Sequence, residues 1–176
     1  MADEVMMDDL VRLTYRELLS PDTVRFAEAL VDGRILGQRC TSCGRVYLPA
    51  KGYCPLCVVL LDADDDVEVA DRGVVTGFTI VAPVRYYGQK KTEPFVYASV
   101  LLDGASGTLG GQDITGLPTD QIRAGLRVRA VWKPDAERTT EGQSARGWGS
   151  VAGCISSFES SGEPDMDRAE FAEHLI

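Results

Sequence analysis

Histidine is almost missing from this chain: the one copy, His174, stands third from the end of 176 residues. A serine or cysteine nucleophile therefore has no obvious imidazole base, and no Ser–His–Asp triad can be centred on a lone residue in the tail, which reads as surface. Long apolar runs are missing too. None approaches the ~18 residues of a membrane-spanning helix, so no span is expected. Met1 is followed by Asp3 and Glu4 rather than by a basic region and an apolar run, so no secretory leader is expected and the location is read as a reducing cytoplasm. Excess positive charge is absent. Acids outnumber bases 27 to 18, a net charge of -9, which argues against wholesale binding to a nucleic-acid backbone. The glycine-rich stretch GASGTLGGQDITG lacks the Gly-Lys-Ser/Thr ending of a phosphate loop and leads into no clear helix, so it reads as a turn and a strand. No internal repeat is present.

What remains is an ordinary globular balance, 44% hydrophobic and 26% charged, with enough length for one compact domain or two small ones. The charge is uneven. Residues 1–34, 62–71 and 159–176 are acidic, whereas 72–158 holds ten bases against seven acids. Four of the five cysteines fall in CTSCGRVYLPAKGYCPLC, at Cys40, Cys43, Cys54 and Cys57. Each Cys-x-x-Cys turn brings two sulfurs within reach of one ion. Gly44 follows the first pair, and Pro55 stiffens the second. In a reducing compartment such pairs read as metal ligands rather than disulfides. Four thiolates make a tetrahedral all-sulfur site for zinc or a single iron. Because the shell is closed, with no position for water, a structural Zn(2+) is the preferred reading and a redox iron the rival. Cys154, on the last expected strand, reads as a buried inert residue.

Elements follow from pattern. Met6, Met7, Leu10, Leu13 and Leu18 give helical spacing over 6–19. Ser20, Pro21, Asp22 and Gly33 bracket a second helix at about 21–32, with Phe26, Ala27, Leu30 and Val31 on its apolar face. RILGQR is a short strand, and VVLLDADDDVEVA reads as strand, acidic turn, strand. GVVTGFTIVAPV, PFVYASVLLD, GTLGGQDITG (with glycines that suit a bulge), RVRAVWKP and GWGSVAGCISSFES are five more strands, interrupted by a short turn or helix at LPTDQIRAGL. They suit a small OB-type barrel. PDAERTTEGQSARG, 134–147, reads as a mobile polar loop, and DRAEFAEHLI as a short helix with Phe171 and Leu175 on one side. The fold expected is mainly β with N-terminal helices: a helical segment at 1–36, a rubredoxin-like zinc ribbon at 37–70, a five-stranded OB-fold barrel at 71–160 and an acidic tail at 161–176. Between the first two barrel strands lies the one dense basic-aromatic patch, with Arg85, Lys90 and Lys91 interleaved with Tyr86 and Tyr87. It reads either as a contact for a phosphate-bearing ligand or acidic partner, or as a solvated loop.

The order of parts over residues 21–158, above all Gly33 to Cys57 and Arg72 to Val81, resembles the family once called "domain of unknown function 35", acyl-CoA-associated OB-fold proteins with a zinc ribbon. The resemblance carries the family's zinc ligands onto Cys40, Cys43, Cys54 and Cys57. It implies a non-catalytic subunit, in a hetero-oligomer with a thiolase-superfamily partner that binds the acyl-CoA. The chain looks most like actinobacterial members linked to steroid side-chain catabolism, which pair with a lipid-transfer-protein-like thiolase homologue. Related pairs act as aldol lyases on steroid-CoA thioesters. Val58 departs from the family, which often has glycine there, and residues 1–20 and 160–176 fall outside the match. Two other classes stay open at this point: an OB-fold nucleic-acid binding module, disfavoured by the net charge, and a rubredoxin-like iron electron-transfer protein.

Overall fold

The computed structural model describes residues 18–82, 92–140 and 153–174. Helix α1, Pro21–Val31, starts as its sequence prescribes. The Ser20 hydroxyl accepts from the Thr23 amide at 3.2 Å, Pro21 takes the first position and Asp22 lies in the first turn. Gly33, with φ +77°, closes the other end through its amide on the Leu30 carbonyl at 3.1 Å. Phe26, Ala27, Ala29 and Leu30 are buried, with Val31 half-buried. Most of the helix expected over 6–19 lies outside the described residues. Its last two positions, Leu18 and Leu19, are not helical. Ser20 must be extended to cap α1, and Pro21 biases the residue before it away from helix.

Strands β1 (Ile35–Arg39), β2 (Val46–Tyr47), β3 (Tyr53–Cys54), β4 (Val59–Leu60) and β5 (Asp66–Val69) build two small sheets. β1 is central to the first, antiparallel to β2 and β5, while β3 and β4 pair only with each other. The acidic turn expected between β4 and β5 is a 3-10 turn, Ala63–Asp65, capped by Asp62. Five longer strands follow: β6 (Arg72–Val81), β7 (Phe95–Leu102), β8 (Thr108–Thr115), β9 (Arg127–Trp132) and β10 (Ile155–Ser160). They close a barrel in the order β10-β8-β7-β6-β9, with β10 pairing back onto β9 and lying parallel to β8. Register shifts bend β6 between Val75 and Gly77, and β8 opposite Ala98 and Val100, where the glycines Gly110 and Gly111 supply the expected bulge. LPTDQIRAGL contributes a 3-10 turn at Thr119–Gln121. No helix among the described residues is long and apolar enough to cross a membrane.

One apolar cluster runs through helix, first sheet and barrel. Phe26 and Leu30, Ile35, Val46 and Leu48, then Val74, Val100, Val128 and Phe158 all belong to it, and so does Cys154, fully buried as expected. The metal-side hairpin has its own cluster of only Cys40, Cys54 and Leu61, edged by Tyr47, Cys57 and Val59.

A buried amide ties the two regions together. Gln38, 0% exposed, donates from Nε2 to the Asp62 carbonyl at 3.1 Å and to Asp22 Oδ1 at 3.2 Å, and its Oε1 accepts from the amides of Lys51 and Gly52 at 3.3 and 2.8 Å. Arg25 braces the same acids, 2.7 Å from Asp66 and 2.8 Å from Asp22. Burial opposes ionisation of Asp22, but the bonds from Gln38 and Arg25 outweigh it and hold its carboxyl below the usual range. Replacing Gln38 by leucine strands two amides and a carbonyl in the interior. The Gln38→Leu protein should lose about 3 kcal/mol in urea denaturation, since each unpaired buried group costs about 1–3 kcal/mol.

Asp103, Glu159 of β10 and two acids of the C-terminal tail pair with bases of the barrel and its loops. Arg127 donates to Asp103 at 2.7 and 2.6 Å and to Glu163 at 3.0 Å, Arg129 reaches Glu159 at 2.8 Å, and Arg123 pairs with Asp165. Helix α2, Arg168–Phe171, then buries Phe171 at 1% exposure in the main core, while Leu175 lies outside the described residues. The polar stretch from 134 is more ordered than its composition implies up to Thr140. Asp135–Glu137 forms a 3-10 turn, and the Arg138 guanidinium packs 5.8 Å from the Trp132 ring and pairs with Asp135. A cation–π contact and an ion pair fix a segment that lacks apolar residues. Residues 141–147 lie outside the described set.

Candidate metal centre

Two knuckles meet at the end of the first sheet. In the first, β1 delivers Cys40, whose amide donates to the Arg45 carbonyl at 2.8 Å and whose carbonyl accepts from Gly44 at 2.7 Å. Gly44 has φ +73°, a conformation glycine adopts without cost. In the second, β3 delivers Cys54. The Val58 amide donates to the Cys54 carbonyl at 2.8 Å, and the Cys57 amide to Cys54 Sγ at 3.3 Å. Val58 occupies the place equivalent to Gly44 and has the same left-handed backbone, φ +55°. A β-branched residue there costs about 1–3 kcal/mol, and its side chain is 86% exposed, with no packing to offset that cost.

The four Sγ atoms of Cys40, Cys43, Cys54 and Cys57 lie within 4.8 Å of one another, and none forms a disulfide. Cys43 Sγ and Cys54 Sγ are 3.8 Å apart. That separation is the edge of a tetrahedron with metal–sulfur bonds of about 2.3 Å, so the donor set fits zinc. Cys40 and Cys54 are buried, Cys57 is half-buried and Cys43 is exposed. Two donors converge on Cys54, because the Tyr47 hydroxyl lies 3.2 Å from its sulfur in addition to the Cys57 amide. Burial resists ionisation of Cys54, but the hydrogen bonds from Tyr47 and from the Cys57 amide bring its thiol down to about 6. The Cys57 thiol is pushed up to about 12 by its hydrogen bond with Cys43 and by burial. The Tyr47 phenol is raised by its bond to Cys54, so it keeps its proton and donates it. Such outer partners orient thiolates and tune their basicity.

His174 is not among the converging ligand atoms. It is less exposed than a tail histidine is expected to be. It lines a shallow pocket with Cys43, Gly44, Arg45, Ser106 and Glu173, and its Nε2 is 3.4 Å from Glu173. The expected basic-aromatic contacts Arg85, Tyr86, Tyr87, Lys90 and Lys91 lie outside the described residues. Gln38 and Tyr47 carry no signal in the sequence, whereas Val58 carries one, as a non-glycine where the knuckle calls for glycine.

The family profile described as "ChsH2, rubredoxin-like zinc ribbon domain" matches residues 27–58, and the one described as "ChsH2, C-terminal OB-fold domain" matches residues 66–133. The chain belongs to the DUF35 family. A DUF35 domain-containing scaffold protein of Methanocaldococcus jannaschii is 28% identical over 116 residues, which cover 65% of this chain and 78% of the relative. A Sulfolobus solfataricus DUF35 protein of unknown function superposes with TM-score 0.51 at 25% identity, over 63% of this chain and 78% of that one. The solved "Ltp2-ChsH2(DUF35) aldolase" contains a chain that superposes with TM-score 0.53 at 26% identity, over 68% of this chain and 90% of that one. The DUF35 architecture of ribbon and OB barrel is therefore the architecture of this chain, with four cysteines positioned to hold a metal.

Proposed function

We propose that this chain is the non-catalytic accessory subunit of a thiolase-superfamily, lipid-transfer-protein-like enzyme that acts on acyl-CoA thioesters, in an aldol-lyase or thiolase step of steroid side-chain degradation in the cytoplasm. The observation that carries the reading is the likeness, over 68% of this chain, to a chain of the Ltp2-ChsH2(DUF35) aldolase. Bound zinc would be held by Cys40, Cys43, Cys54 and Cys57 and would supply structure alone, because four thiolates leave no position for water or substrate. The carbon–carbon chemistry then belongs to the partner, and this chain shapes and holds it. A tagged chain recovered from its native cell should bring down a thiolase-like protein at equal stoichiometry, with one zinc per chain by metal analysis. Recovery alone, with nucleic acid or with iron would overturn the reading.

The segment carrying Arg85, Tyr86, Tyr87, Lys90 and Lys91 is proposed, on its chemistry, to lie near the partner's CoA-binding mouth and to contact the phosphates. Changing Arg85, Lys90 and Lys91 together to alanine should raise KM for the CoA thioester on the order of tenfold in the complex, with kcat held. An unchanged KM removes this segment from substrate binding.

A further inference from the structure

The second knuckle carries an apolar surface that the metal site does not use. Tyr53, Leu56, Val58 and Leu60 are 49%, 66%, 86% and 89% exposed, four large side chains within eight residues. Tyr53 and Leu60 are cross-strand partners in the β3–β4 hairpin, so they stand side by side on one face, and Leu56 and Val58 form the turn beyond them. The opposite side of the hairpin holds Cys54 and Leu61 in the small core. Clustered exposure of this kind marks interaction sites rather than scattered surface residues. The tip is also rigid before any encounter, with Pro55 in the turn and two metal ligands flanking it. The knuckle turn sets the left-handed backbone at Val58 as it does at Gly44, so the feature without a described packing role is the valine side chain itself, exposed where glycine would carry no strain.

The surrounding charge says what the tip fits. The chain runs directly from Leu60 into the acidic turn of Asp62, Asp64 and Asp65, with Asp62 and Asp64 exposed. On the other flank in sequence, Lys51 is turned onto the Tyr47 ring at 5.9 Å. Two copies of this tip would bring like charges together, and an anionic lipid surface would repel it. We propose that the second knuckle is a docking tip that seats Tyr53, Leu56, Val58 and Leu60 in an apolar cleft with a basic rim on the catalytic partner subunit. This rests on the accessory-subunit reading above and names the surface that makes the contact.

The test uses the full chain and the thiolase-like protein recovered with it, with affinity measured by biolayer interferometry alongside zinc content and thermal melting of each variant. Val58→Gly should bind about tenfold more weakly, the equivalent of one aliphatic side chain left out of a cleft, while its zinc content is unchanged and its own melting temperature rises. Leu60→Asp should weaken binding by about a hundredfold or more. Asp64→Asn, whose carboxylate makes no hydrogen bond or ion pair in the described structure, should slow association severalfold at low salt. If wild type and both apolar variants bind the partner equally well, the docking tip is wrong and the accessory reading stands. If wild type binds no such subunit, both fall. A wild-type chain that sediments as a dimer, and that Leu60→Asp converts to monomer with partner affinity unchanged, assigns the face to a second copy and overturns the proposal. Should Leu60→Asp lose zinc, Val58→Gly decides alone.

Discussion

Stripping the metal with a strong chelator should melt the two knuckles, residues 40–45 and 53–61, and leave the barrel standing, with Val46 and Leu48 still seated in the main core. The metal-side hairpin is held by three buried residues, two of which are Cys40 and Cys54 themselves. A core of that size cannot offset the ordering entropy of some fifteen residues, at about 1–2 kcal/mol each. Metal coordination supplies the difference, with apparent free energies of about 10–16 kcal/mol for structural zinc in small domains. The main core, including Val74, Val75, Val100, Val128 and Phe158 of the barrel, is separate from the metal-side cluster. Hydrogen exchange should therefore lose protection across 40–45 and 53–61 on chelation while the amides of β6, β7 and β9 stay protected, and Cys54→Ser should reproduce the pattern without chelator. An unchanged exchange map would mean that the metal does not hold the ribbon. Loss of protection throughout the barrel would mean that the ribbon is no separate unit of stability.

The second large effect comes from one hydrogen atom. Gly73→Ala should cost about 4 kcal/mol or more, enough to lower the melting temperature by about 10 °C. A Cβ on Gly73 would sit 2.1 Å from the Leu101 carbonyl oxygen and 2.8 Å from Leu102 Cα. Both are backbone atoms of β7, and β6 is pinned on its other side by β9 at the same level, where Gly73 faces Val128. Neither neighbour can yield without breaking a ladder, and closed barrels have no free edge to move. Gly77, four residues along the same strand, has nothing within 4 Å of a built Cβ. Gly77→Ala should leave the melting temperature within a few degrees of wild type, which makes the pair a measure of backbone approach rather than of glycine loss. Similar melting of the two variants would refute the steric account.

What could be read from the chain divides by range. The convergence of the four cysteines was legible because each pair is a local turn with fixed reach. Helix α1 was legible because Ser20, Pro21 and Gly33 act within their own turns. The strands were legible because alternation has a period of two. The order in which the strands close was not, since the count and spacing of strands suited an OB-type barrel but nothing in β10 names β8 and β9 as its neighbours. Gln38 looked like any polar strand residue. Its partners come from Asp22, Lys51, Gly52 and Asp62, up to 24 positions away, and no local pattern announces them. Arg127 and the tail acids likewise gave a charge imbalance along the sequence without showing that the two halves neutralise each other in space.

The placement of β10 between β8 and β9 bears on how the chain is made. The barrel's final staple, Ile155–Ser160, follows β9 by more than twenty residues, so during synthesis β8 and β9 leave the ribosome each with an unpaired edge and wait for it. The helix and first sheet can organise early around the metal, whereas the barrel depends on contacts between distant parts of the chain, which slows folding. Open strand edges are also what recruits neighbouring nascent chains into aggregates. Expression yield should thus depend on how fast residues 155–160 arrive, and a second protein that shielded the incomplete barrel in the meantime would act as a chaperone for its own subunit.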